Sequence, residues 1–153
     1  MRSWISLVAR LGLAAVWLIS GWIKASDPLQ TVVAVRAYRL LPESLIYPVA
    51  NALPLLELLL GFFLLIGFAV RQTAIASAVL LAVLMGVISA SWARGLSIDC
   101  GCFGGGGVAD VDGWTYVREL SRDLAFSVLA AWLCVWPKSR WALGSGSRVS
   151  LAA

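Results

Sequence analysis

Histidine is absent from the 153-residue sequence, and with it the commonest metal ligand and the usual axial ligand of haem. Charge is scarce too: Asp, Glu, Lys and Arg make up 13% of the chain, against about 25% in a soluble domain. Only three cysteines occur, Cys100, Cys102 and Cys134, too few for a disulfide framework. One close pair and one leftover is the count of a single dithiol with a bystander, and Cys134, inside an apolar run, reads as a small packing residue. Sulfur must therefore carry any redox chemistry.

What is abundant is apolar surface, with 61% hydrophobic residues and a mean hydropathy of +0.89. The solvent implied is lipid, and repeated apolar runs near twenty residues predict an all-α integral membrane four-helix bundle in a single domain over 1–137. The net charge of +4 is spread between the apolar runs as membrane flanks and forms no basic stripe, which argues against nucleic acid as a partner.

The runs predict long helices at about 5–25, 46–70, 72–94 and 115–136. Trp22 and Lys24 anchor the first at an interface, and no small-x-small cleavage pattern makes it a signal peptide. Asp27-Pro28 stops it, because proline disfavours helical geometry in the residue before it. The stretch from Leu29 to Leu41 is too short to span and predicts an interfacial helix between the first and second long helices, with Leu29, Val33, Ala37, Leu40 and Leu41 on its apolar face. Arg71 closes the second run, and the third, uncharged from Gln72 to Ala93, is the clearest span. The fourth carries Arg118, Glu119, Arg122 and Asp123 in its first turns and crosses only if these are held at the interface or against the bundle. Gly12, Gly61, Gly67 and Gly86 read as close-packing positions between helices. Residues 138–153 read as a disordered cytoplasmic tail.

Four spans put both termini on one side. Lys and Arg divide equally between the two sides, but every acidic loop residue falls on the side opposite the termini, so the termini are placed in the cytoplasm. Trp4, Trp136 and Trp141 then mark one interface and Trp22, Trp92 and Trp114 the other. The loop 95–114 faces the oxidising side.

That loop carries Asp99-Cys100-Gly101-Cys102-Phe103-Gly104. A disulfide closed across one residue is hard to relax, and strain makes such a bond a labile oxidant. Gly101 supplies the backbone freedom that closure needs. The alternatives are a pair of thiols at a helix end, part of an incomplete metal site, or a structural bond. An adjacent Asp99 carboxylate works against thiolate formation unless a cation such as Arg94 or Arg118 compensates, and Asp99 itself reads more simply as a solvated loop aspartate. Glu57 is the other singular residue, a carboxylate inside an apolar helix that needs a partner. Lys24, with Arg118 or Arg122, lies at the right depth to pair with it beneath the cysteine loop. A salt bridge that fixes helix packing and a proton-relay role are both open for it.

Gly21-x-x-Lys24 with Asp27-Pro28, Tyr38-x-Leu40-Leu41-Pro42, Pro54-x-x-Glu57-x-x-x-Gly61 and the Cys-Gly-Cys hexad, in this order, resemble the MauE branch of the DoxX-like membrane proteins over roughly Gly12 to Trp136. The resemblance implies a four-helix protein of the bacterial inner membrane. It further implies a thiol–disulfide protein that exchanges disulfides with a thioredoxin-like or secreted partner through Cys100 and Cys102, in maturation of an enzyme such as methylamine dehydrogenase. Asp99, Gly101, Phe103, Gly104, Glu57, Lys24, Arg118 and Arg122 are the expected supporting residues. The alternative is a non-catalytic membrane subunit that assembles or anchors a redox complex. No residue pattern indicates a metal or other cofactor. Quinone is compatible with a membrane setting, but the second cysteine pair of quinone-coupled thiol oxidases is missing from this sequence.

Overall fold

A computed structural model describes residues 1–101, 105–144 and 146–147. Its elements are α1 (Arg2–Ser26), α2 (Pro28–Ala37), α3 (Glu43–Ile66), α4 (Val70–Ala93), β1 (Ile98–Asp99), β2 (Gly107–Val108) and α5 (Gly113–Val135). Three of the helices, α1, α3 and α4, are long and apolar enough to cross a bilayer. The protein is a mostly helical, multi-pass membrane protein. Its outer surface agrees: Leu55, Leu59, Phe62, Ile75, Val79 and Val83 of α3 and α4 are all exposed, far more apolar area than a water-facing surface carries.

The main core is shared by four helices. Leu13, Ala14 and Trp17 of α1 meet Leu60 and Leu64 of α3, Ala74 and Leu81 of α4, and Ala130 and Leu133 of α5. Buried indole nitrogen needs an acceptor, and Trp17 Nε1 donates to Ser77 Oγ at 2.9 Å. The closest approach is between α1 and α3. A Cβ on Gly21 would lie 3.0 Å from the Pro54 carbonyl oxygen, and one on Gly61 would lie 2.7 Å from Leu18 Cγ. Glycine at these two positions lets the backbones touch. Pro54 takes an N–H out of the helical ladder at the same place. Gly12 and Gly86 have no such neighbour and are not close-packing positions.

Several boundaries differ from the sequence expectation. α3 ends at Ile66, not at residue 70, because Gly67 takes a left-handed conformation (φ 72°) and caps it. α2 ends at Ala37, with Asp27 accepting from Gln30 N at its start, so Leu40 and Leu41 lie beyond the helix. Thr31, Val32 and Ala34 turn inward with Ala37, while Leu29 and Val33 are exposed. The loop 95–114 is not wholly irregular, since β1 and β2 pair antiparallel with Ile98 opposite Val108.

Of the tail expected to be disordered at 138–153, the described residues 138–144, 146 and 147 pack against the helices. Leu143 N donates to Ile66 O and Gly144 N to Gly67 O, both at 3.1 Å. Val70 N donates to Ser147 Oγ at 3.2 Å. These bonds satisfy the open carbonyls of α3 and an open N–H of α4, which explains why a Gly/Ser-rich segment packs there. Ser139 and Ala142 are buried beneath it. Trp4 and Trp141 meet edge to face at this end, with centroids 6.2 Å apart.

Candidate functional site

The loop that carries Cys100 is tied down by both flanking layers. Ile98 is buried with Ile88, Ala37 and Tyr116 in a second core cluster. Tyr116 donates its hydroxyl to Leu96 O and accepts from Ile98 N. From α2, Tyr38 donates to Cys100 O at 2.8 Å and Gln30 Nε2 donates to Gly106 O at 2.6 Å. Gly106 (φ 98°) sits where a Cβ would come within 2.6 Å of Ala34 Cβ, so only glycine lets the loop lie this flat on α2.

Asp99 is not a solvated loop aspartate. Its Oδ1 accepts from Gly101 N and its Oδ2 from Gly106 N, both at 3.3 Å, which closes the loop on itself. Cys102, Phe103 and Gly104 lie outside the described residues, and with them the expected Cys100–Cys102 bond.

The Cys100 thiol donates to Glu119 Oε2 in a short contact. Glu119 and Asp123 are buried, and they share the inward face of α5 with Tyr116, Ala130 and Leu133. Arg122 Nη2 lies 3.1 Å from Glu119 Oε2, 3.1 Å from Asp123 Oδ1 and 3.9 Å from Cys100 Sγ. The cation beside the thiol is therefore Arg122, not Arg94 or Arg118. Arg94 is drawn away to the carbonyls of Tyr38 and Arg39 at the end of α2. Arg118 is exposed, and its charge acts on Asp112 at the start of α5. The side chains of Asp99, Cys100 and Glu119 each bring one ligand-type atom within 4.8 Å of the others. The Arg122 guanidinium reaches two of the same atoms, Glu119 Oε2 and Cys100 Sγ.

Glu57 forms a second, separate cluster. Lys24 Nζ lies 2.6 Å from Glu57 Oε1 and 2.7 Å from Ser20 Oγ, and Ser20 Oγ donates to Glu57 Oε2 at 3.0 Å. Of the expected partners only Lys24 pairs with Glu57; Arg118 and Arg122 do not. The Glu57 side chain is fully buried and that of Lys24 is 9% exposed. Ionised groups persist at such a depth only when paired and hydrogen-bonded, and this triad supplies both conditions. A cavity of about 180 Å³ is lined by Lys24 of this cluster, by Tyr38 and Leu84, and by Cys100 and Gly101 of the loop.

Sequence reasoning met Glu119 and Asp123 only as charges in the first turns of the fourth run and Tyr38 only within a motif, and placed none of them, nor Ser20 or Gln30, in the site. A signal for two of them is present: Tyr116, Glu119, Asp123, Ala130 and Leu133 recur at helical spacing, which puts the acids on the face that later turns devote to the core.

The searches of curated proteins and of solved structures gave no match. A family model described as Methylamine utilisation protein MauE matches residues 2–136, which takes in every helix and the loop of Cys100. The chain belongs to the MauE family.

Proposed function

We propose that this protein is a membrane thiol–disulfide exchange protein in which Cys100, with Cys102, passes disulfides between a thioredoxin-like protein and a secreted client. The observation that carries the reading is the setting of the Cys100 thiol, which has a carboxylate to receive its proton and a guanidinium 3.9 Å away to oppose the charge of a thiolate. In the exchange, a client thiolate attacks the Cys100–Cys102 disulfide and forms a mixed disulfide. A second client thiolate then resolves it, leaving the client oxidised and the protein as a dithiol. A disulfide of the thioredoxin-like partner restores the starting state by the reverse steps. The family description supports a client connected with methylamine utilisation, such as a disulfide-rich dehydrogenase subunit.

On this reading α5 is a fourth span, its acids turned inward so that lipid meets Leu124, Val128 and Val135. α2 lies at the interface, with Leu29 and Val33 towards the bilayer. The termini face the cytoplasm of a bacterial inner membrane, and Cys100 faces outward.

Purified protein carrying Cys134→Ala, equilibrated in glutathione buffers of graded poise and then alkylated, tests the reading. Reversible conversion between no modified thiol and two is expected. A pair that stays reduced at every poise, or never reduces, would leave the assembly-subunit role in its place.

A further inference from the structure

Two carboxylates, Asp99 from the loop and Glu119 from α5, each bring an oxygen within 4.8 Å of the Cys100 sulfur, and a third, Asp123, joins them through Arg122. Arg122 bonds to both Glu119 and Asp123. The other buried cation in reach, Lys24 of α1, is bonded to Glu57 and Ser20, and its charge extends to Asp123. Asp99 is held by two backbone N–H groups. From α2 and α4 the nearby polar side chains are Tyr38 and Arg94, and both are directed at backbone carbonyls. Tyr116, one turn before Glu119, gives its hydroxyl to Leu96 O. Glu119, whose side chain is 12% exposed, therefore accepts from two donors among the described residues: the guanidinium it shares with Asp123, and the Cys100 thiol.

We propose that Glu119 is the proton partner of Cys100: the two side chains share one proton, which sits on sulfur in the thiol form and passes to the Glu119 carboxylate when the sulfur enters a disulfide. The proposal deepens, and in function rests on, the exchange reading. Forming a disulfide at Cys100 removes the S–H donor and leaves the neighbouring carboxylates sharing one guanidinium in a half-buried place. Neutralising one of them relieves that repulsion, and Glu119, in contact with the sulfur, is nearest to the departing proton.

Cys100–SH with ionised Glu119 reacts with a disulfide R–S–S–R′ and one solvent proton to give Cys100–S–S–R, R′–SH and protonated Glu119. The S–H bond and the R–S–S–R′ bond break, and the Cys100–S–S–R bond forms. The Cys100 sulfur is oxidised and the R′ sulfur reduced. The thiol proton goes to Glu119, and the leaving R′ thiolate takes its proton from solvent. An ordinary thiol making the same exchange consumes no proton, so the equilibrium itself reports the proton partner.

The test uses the full chain with Cys102→Ala and Cys134→Ala, leaving Cys100 as the single thiol, equilibrated with reduced and oxidised glutathione between about pH 5.5 and 7.5, where free thiols stay protonated. Intact mass measures the glutathione adduct. The exchange constant is expected to fall by up to about tenfold for each unit of rising pH, and Glu119→Gln in the same background is expected to flatten the profile. A flat profile in the parent chain overturns the proposal on its own, even if Glu119→Gln fails to fold. An equal slope in parent and variant overturns it too, by assigning the proton to another group. A flat profile with a normal adduct leaves the exchange reading intact, whereas a Cys100 that forms no adduct at any poise sinks both.

Discussion

Two buried charge clusters of this protein, one reaching a shared cavity through Lys24 and the other through Cys100, are built differently. Around Glu57 one cation meets one anion, and Ser20 closes the ring, so every strong donor has an acceptor and the charge is balanced. Around Cys100 carboxylates outnumber guanidinium, the donor that completes Glu119 is a thiol, and one oxygen of the buried Asp123 carboxylate has no hydrogen-bond partner among the described residues. A balanced, closed cluster resists change and joins α1 to α3. An acid-rich cluster whose proton inventory depends on a sulfur is responsive. Burial alone does not mark a site; the unmatched charge beside an oxidisable atom does.

Breaking the Glu57 cluster should have the largest effect. Glu57→Gln leaves the Lys24 ammonium buried with only neutral partners, and the loss of stability should approach about 3–5 kcal/mol, the cost of breaking a buried pair. Thermal unfolding in detergent measures it. Wild-type thermal stability in Glu57→Gln would mean that the ion pair contributes nothing to the α1–α3 contact.

A smaller loss, about 0.5–1.5 kcal/mol, is expected from Tyr38→Phe, which deletes one hydrogen bond to the Cys100 carbonyl. Its sharper consequence is local. The loop loses its tie to the end of α2, so alkylation of Cys100 should accelerate while Cys134 is unaffected, and an unchanged Cys100 rate would count against the clamp.

The smallest expected effect is at Asp112, which caps α5 ahead of the acid cluster. The hydroxyl and the backbone N–H of Thr115 both donate to it and hold its carboxyl below the ordinary carboxylate range. A depressed value means that this contribution is fully present above the unfolded value, about pH 3.9, and is lost as pH falls through the lower folded value. Thermal scans from about pH 5 downward should show a steeper loss in wild type than in Asp112→Ala. Parallel curves would remove the cap from the account.

Much of this arrangement is legible in the sequence where one residue breaks a pattern. Asp27-Pro28 ends α1 and opens α2, and a lone Glu57 in an apolar run demands the partner that Lys24 provides. The end of α3 is less legible, because hydropathy continues to Val70 while the backbone has already turned at Gly67. The inward acids of α5 are hidden for a related reason. Charges in the first turns of a helix read as interfacial, and only their phase relative to Ala130 and Leu133 shows that they face the core. Arg94 illustrates a limit of proximity in sequence: it precedes Cys100 closely, yet its guanidinium binds the carbonyls of Tyr38 and Arg39, because the end of α2 leaves those carbonyls without helical donors. The folding of the tail onto the α3–α4 turn depends on open backbone groups that no composition reveals.

The exchange assignment is tested most directly in cells that carry Cys100→Ala or Cys102→Ala. Each single variant leaves one cysteine unable to resolve an attack internally, so a mixed disulfide with the physiological partner should accumulate as a reducible band of higher mass and vanish when both cysteines are replaced. The helical core should remain folded in the double variant, since its packing rests on Gly21, Gly61 and the Glu57 cluster. No trapped species from either single variant, together with full biological activity of the double variant, would contradict the account.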